Sequence, residues 1–164
     1  MRAPMEKKAL RLRAEDAEDL AIFAAILQDA RAPLMEMVYD HPTRRFMVAF
    51  HRYMRECQCN PEATDELCEI QSVVMFEQIE AVRYCGLDLT AKDTPLTLLT
   101  IATRPGRQRL IDIDLIFAGG AIIRLQTDCI RCRLEDFGEP QPCTVRPDNH
   151  FADEVEEESV AGPA

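Results

Sequence analysis

The groups with the greatest chemical potential in this chain are its thiols, seven of them: Cys57, Cys59, Cys68, Cys85, Cys129, Cys132 and Cys143. Cys129 and Cys132 have the C-x-x-C spacing of half a tetrahedral zinc site, and Cys57 and Cys59 with Cys68 could supply the other ligands. A second C-x-x-C pair is missing, and a free cysteine also packs as a small hydrophobe. The residues therefore favour structural thiols, with Cys57, Cys59, Cys129 and Cys132 as the metal-ligand candidates, and no cofactor is expected. An odd number of cysteines with no export signal argues for reduced thiols in the cytoplasm.

Other routes to catalysis are thinly supplied. Only Ser72 and Ser159 could act as serine nucleophiles, and neither sits in a G-x-S-x-G setting. A cysteine nucleophile needs a histidine, and His41 and His51 are far in sequence from most of the thiols. Asp112 and Asp114 share one face of a strand pattern and could serve as paired carboxylates, but alternation alone accounts for both as a solvated face. Gly119-Gly120 reads as a turn, since neither G-x-G-x-x-G nor a Walker-type loop occurs. The arginines are more suggestive. Arg44, Arg45, Arg52 and Arg55 cluster, as do Arg104, Arg107 and Arg109, and Arg44, Arg45, Arg52, Arg104, Arg107 and Arg109 form the candidate interaction patch.

The charge balance limits what such a patch meets. The 164 residues carry a net charge of −10, of which five units come from Asp153, Glu154, Glu156, Glu157 and Glu158. An acidic chain with no aromatic stacking set interleaved with these arginines is a poor nucleic-acid binder. The acidic C-terminal run is itself a candidate occupant of the arginines. No stretch approaches the ~20 apolar residues of a membrane-spanning helix, and an acidic run rather than an apolar signal core follows the basic N-terminus. Hydrophobic residues make up 47% and charged residues 29%, the balance of one soluble globular domain.

Periodicity supplies the elements that must position these groups. Asp16 is a good N-cap, and Leu20, Phe23, Ile26 and Leu27 repeat at helical spacing, which predicts a helix from Asp16 to Asp29. From Pro33 the period changes to two: Met35, Met37 and Tyr39, then Phe46, Val48 and Phe50, form a hairpin about Asp40-His41-Pro42-Thr43. Met54 to Glu66 reads as a loop. Strands are predicted at Cys68 to Phe76, Ile79 to Tyr84, Leu96 to Thr103, Ile111 to Phe117 and Ala121 to Leu125. Ile130, Leu134 and Phe137 return to helical spacing before Gly138, which predicts a short C-terminal helix.

The expected class is α+β. An N-terminal helix, about seven mostly antiparallel strands in a curled sheet or barrel and a closing helix give a layout similar to pleckstrin-homology domains. The boundaries expected are a flexible basic N-terminus over 1–14, a single domain over 15–138 and a proline-containing, acidic, disordered tail over 139–164.

Several stretches also resemble a known family: Asp16-Ala17-Glu18-Asp19-Leu20, Leu27-Gln28-Asp29-Ala30, Arg44-Arg45-Phe46, Phe117-Ala118-Gly119-Gly120-Ala121-Ile122-Ile123-Arg124-Leu125, Cys129-Ile130 and Leu134-Glu135-Asp136-Phe137-Gly138. Together they are similar to domain of unknown function 2948, a family found chiefly in alphaproteobacteria, over about Leu10 to Pro147. The resemblance implies a bacterial cytoplasmic origin and carries no assigned catalytic residues. The leading expectation is a non-catalytic protein-interaction or scaffold domain with an unidentified protein partner. The alternatives are a thiol-based metal-binding or redox-responsive protein and a small-molecule-binding domain.

Overall fold

Asp16 opens the first helix because its carboxylate accepts the Asp19 amide at 2.7 Å, while the Asp19 carboxylate accepts the Glu15 amide at 3.0 Å. The structure, a computed structural model, describes residues 9–57 and 67–143. In chain order its elements are β1 (Arg11–Ala14), α1 (Ala17–Ile26), β2 (Arg31–Pro33), β3 (Met37–Asp40), β4 (Arg45–Tyr53), β5 (Cys68–Phe76), β6 (Ile79–Cys85), β7 (Pro95–Pro105), β8 (Ile111–Phe117), β9 (Ile122–Thr127) and β10 (Cys132–Pro142). The strands join in one sheet of order β1-β10-β5-β4-β2-β7-β8-β9-β6, with β3 beside β4. All pairs are antiparallel.

The sheet is not closed: β1 and β6 stand at its two ends. Its halves nevertheless share one core. Phe46, Val48, Phe50, Val74, Phe76 and Leu134 from the first half fall in the same buried cluster as Leu98, Ile113, Leu115, Phe117, Ile123 and Leu125 from the second. Helix α1 adds Leu20 and Phe23, its apolar face meeting the core at the period the sequence shows. Gly86 turns the chain from β6 at φ +72°, and a Cβ there would lie 2.9 Å from the Gly120 carbonyl oxygen, so only glycine fits the corner.

The seven strands expected from periodicity are β3 to β9, and three more accompany them. The largest correction concerns the predicted C-terminal helix, which is the strand β10. Cys132, Leu134 and Asp136 point inward and Arg133, Glu135 and Phe137 outward, a period of two. Among the described residues α1 is the one α-helix. Among the described residues no closing helix follows the strands, the feature on which the likeness to pleckstrin-homology domains rested. Residues 11–14, expected to be flexible, form β1 on β10, and β10 runs past the expected domain end at 138 to Pro142.

Met35 does not share a strand face with Met37 and Tyr39. β2 lies between β4 and β7 whereas β3 pairs with β4, and the chain breaks from one to the other through a 3-10 turn at Leu34–Glu36 whose Met35 amide donates to the Lys92 carbonyl at 3.0 Å. The predicted loop over Met54 to Glu66 begins with a 3-10 turn at Arg55–Cys57, and its remainder lies outside the described residues. So does the acidic run Asp153 to Glu158. No helix among the described residues is long and apolar enough to cross a membrane.

Candidate functional site

Strand alternation places Phe46, Val48, Phe50 and Arg52 on one face of β4, and that face is the core. Arg52 is accordingly fully buried and cannot belong to a surface patch. Its Nε donates to Asp136 Oδ1 at 2.8 Å and its Nη2 to Asp136 Oδ2 at 2.6 Å, while Glu56 takes Nη2 at 2.8 Å and Nη1 at 3.2 Å. Asp136 also accepts from the Ser72 hydroxyl and from the Leu10 amide at 2.9 Å. Burial alone would lift the Asp136 carboxyl, but the bonds from Arg52, Ser72 and Leu10 outweigh it and hold the group below its ordinary range. Ser72 is sealed from solvent with its proton committed to Asp136, which suits a structural network spanning β4, β5 and β10.

The thiols divide. Cys132 packs in the core, and burial pushes it well above the ordinary thiol range. Cys129, in the loop before β10, donates to Gln78 Oε1 at 2.7 Å; burial and then Asp128 raise its pKa as well. Such thiols are poor nucleophiles at neutral pH. Cys59 and the Cys57 side chain lie outside what is described. Among the described residues no group of three or more His, Cys, Asp or Glu side chains converges as a metal site. His41 meets Tyr39 edge-on at 5.9 Å, and His51 lies 3.5 Å from Gln71 on the outward face of β4.

Asp112 and Asp114 do share a face, the outward one of β8, but it is not a solvated pair: they are 6% and 7% exposed. Arg124 on β9 grips Asp114 through Nε at 2.8 Å and Nη2 at 3.1 Å, and Arg104 on β7 lies 3.7 Å from both carboxylates. Gly106 gives Asp112 its room, for a Cβ there would come within 2.6 Å of the carboxylate. Burial raises the Asp114 pKa against the pull of Arg104. Both carboxylates are occupied by guanidinium groups, which removes them as free acid-base groups.

Past Arg124 the row of charges becomes unbalanced. Arg83 on β6 is the direct cross-strand partner of Arg124. Directly opposed residues point to the same face with Cβ atoms about 5 Å apart, and like charges so placed destabilise a sheet. Arg124 is compensated by Asp114. Arg83 is exposed, makes no ion pair among the described residues, and donates only to Gln126 Oε1 at 3.3 Å. A cavity of about 150 Å³ opens beside the two arginines, bounded also by Tyr84, Cys85 and Ile122.

Among the described residues Arg83 stands on an edge of the sheet without a neighbouring strand. At its start β6 is tied down: the Ile79 amide donates to the Arg44 carbonyl at 2.8 Å, the Tyr39 hydroxyl donates to the Ile79 carbonyl at 2.6 Å and Arg44 pairs with Glu80 at 2.7 Å. From Glu80 to Cys85 the side of the strand facing away from β9 has no backbone partner among the described residues. Tyr84 is 55% exposed on this edge.

Of the expected patch, Arg44, Arg104, Arg107 and Arg109 do come to one end of this half-sheet, since Ile111 pairs with Thr127, Thr127 with Ile79 and Ile79 with the Arg44 carbonyl. Arg45 opposes Asp40 on the β3–β4 hairpin, and Arg52 is interior. The surplus cation, Arg83, was missed because single-sequence reading placed it in a strand without showing that the strand ends the sheet. Its neighbour Arg124 was missed because pairing with Asp114 depends on register. Two further cavities, of about 160 Å³ by His51, Gln71 and Phe137 and about 200 Å³ by Arg13, Arg131 and Arg133, are likewise of side-chain size.

No curated protein and no solved structure matches the chain. Residues 10–149 match the profile of a family described as a protein of unknown function, DUF2948, and with most of its length covered the chain belongs to that family.

Proposed function

We propose that this chain is a non-catalytic protein-interaction domain that receives an extended, acidic segment on the free edge of β6. The observation that carries the reading is the coincidence, from Glu80 to Cys85, of an unpaired backbone edge with an arginine that has no ion-pair partner among the described residues. A strand added to such an edge gains main-chain hydrogen bonds, and pockets for alternate side chains give it selectivity. The cavity beside Arg83 and Arg124 suits one acidic side chain, with Tyr84 offering an aromatic contact at the same edge.

The sizes of these three cavities support recognition of side chains over turnover of a metabolite. Each is about 150 to 200 Å³, against roughly 300–1,000 Å³ for small-molecule sites. The buried charged pair, Arg52 with Asp136, is enclosed rather than aimed into a cleft.

The test is titration of the full chain with a labelled peptide alternating Glu and Val, followed by fluorescence anisotropy and backbone amide shifts. Binding should perturb residues 80–85, weaken with salt and fall at least about tenfold in Arg83→Glu, whose charge reversal acts at the contact itself. Amide shifts confined to other strands, or equal affinity in the variant, would overturn the reading.

A further inference from the structure

The β6 edge needs an occupant with carboxylates on one side of an extended chain, and this protein carries such a segment. In an extended backbone alternate residues share a side, so Glu154, Glu156 and Glu158 would line up together. We infer that the acidic segment Asp153 to Glu158 seats intramolecularly along the free edge of β6, with its glutamates toward Arg83 and Arg124, and so competes with any acidic partner strand. The inference rests on the interaction reading above and names what regulates that same edge.

Three observations converge on it. The first is charge: on the outward face of β7, β8, β9 and β6, Arg83, Arg104 and Arg124 face the two carboxylates Asp112 and Asp114, and among the described residues the cation left over is the one at the edge. The facing groups include Gln126, which is neutral, while Glu80, the acidic residue on β6 itself, is already engaged by Arg44. The second is the opposed Arg83 and Arg124 pair, whose mutual repulsion a carboxylate set beside Arg83 would offset. The third is reach. Cys143 is the last described residue, and the eleven residues from it to Glu154 span up to about 36 Å. A chain of this size has a radius of gyration of about 15 Å and so a globule roughly 40 Å across, which puts more than half of its surface within range.

A tethered segment competes at an effective concentration on the order of 1 mM. If its intrinsic Kd for the edge is about 0.1 mM, it lowers the apparent affinity for an external strand roughly tenfold. The experiment compares the full-length protein with the full-length variant Glu154→Gln/Glu156→Gln/Glu158→Gln, titrating each with the labelled Glu-Val peptide. The neutralised variant should bind about tenfold more tightly, and before peptide is added its 80–85 amide resonances should differ from those of the unaltered chain. Equal affinity and superimposable resonances would overturn the intramolecular seating while leaving the interaction edge standing. Absence of peptide binding to both proteins would overturn the edge reading and this inference with it. A difference that grows with protein concentration would assign the segment to the edge of a second copy and overturn the intramolecular form.

Discussion

Arg52 and Asp136 show how far a single side chain's role can depart from its type. Both are fully buried, and their bonds join β4, β5, β10 and the residue preceding β1. Removing one partner of a buried ion pair leaves the other uncompensated and costs about 3–5 kcal/mol, whereas replacing both with apolar residues of similar volume is often neutral. Asp136→Asn should therefore lower stability at neutral pH by about that amount, and Arg52→Met/Asp136→Leu should restore much of it, as urea unfolding can measure. The pH dependence has a definite sign. Because the folded carboxyl is held below its ordinary value, its contribution is complete above the unfolded carboxylate range near pH 4 and is lost as pH falls through the depressed value. The gap between the native protein and Asp136→Asn should thus close on acidification; a gap that widens below pH 4 would contradict the assignment.

At the scale of elements, the helix and the strands differ in how openly the sequence declares them. Helix α1 is legible because its signals are local: Asp16 caps, Leu20 and Phe23 repeat within one turn, and both ends are set by residues a few positions apart. Asp16→Ala should cost about 1 kcal/mol, seen as a lowered urea midpoint with an unchanged m-value; no change would mean the Asp19 carboxylate suffices. Strands β3 to β9 are legible for a similar reason, since alternation such as Phe46, Val48, Phe50 survives without knowledge of partners. β10 is not. Its inward set is Cys132, Leu134 and Asp136, and an aspartate reads as a surface residue until its arginine, 84 positions away, is known. Ile130, Leu134 and Phe137 then mimic a helical period. The site was obscured by the same non-locality: Arg104, Arg107 and Arg109 stand out as a run, but the edge position of Arg83 follows from the strand order alone.

For the whole molecule the decisive property is that an open sheet encloses one core. Strands β1, β10, β5, β4 and β2, with β3 beside β4, form one half and β7, β8, β9 and β6 the other, and the ladder between them, β2 with β7, is only three residue pairs long. So short a ladder could not by itself couple two units, which would then unfold separately. The core is what couples them, because Val48 and Val74 of one half lie in the same buried cluster as Leu115 and Ile123 of the other, and opening either half would expose apolar surface at about 25 cal/mol per Å² in both. Native-state hydrogen exchange should consequently report one global opening for the amides of β4, β5, β8 and β9, with a common free energy and a common denaturant dependence, while the edge amides of β6 from Glu80 to Cys85 that face away from β9 exchange through local fluctuations. Two distinct global free energies, one for each half, would show that the halves are separate cooperative units. The edge would then belong to a unit of four strands, and a partner strand bound at Arg83 would stabilise that unit alone. With a single core the same binding must raise the global opening free energy of every central strand, including β4 and β5 in the opposite half.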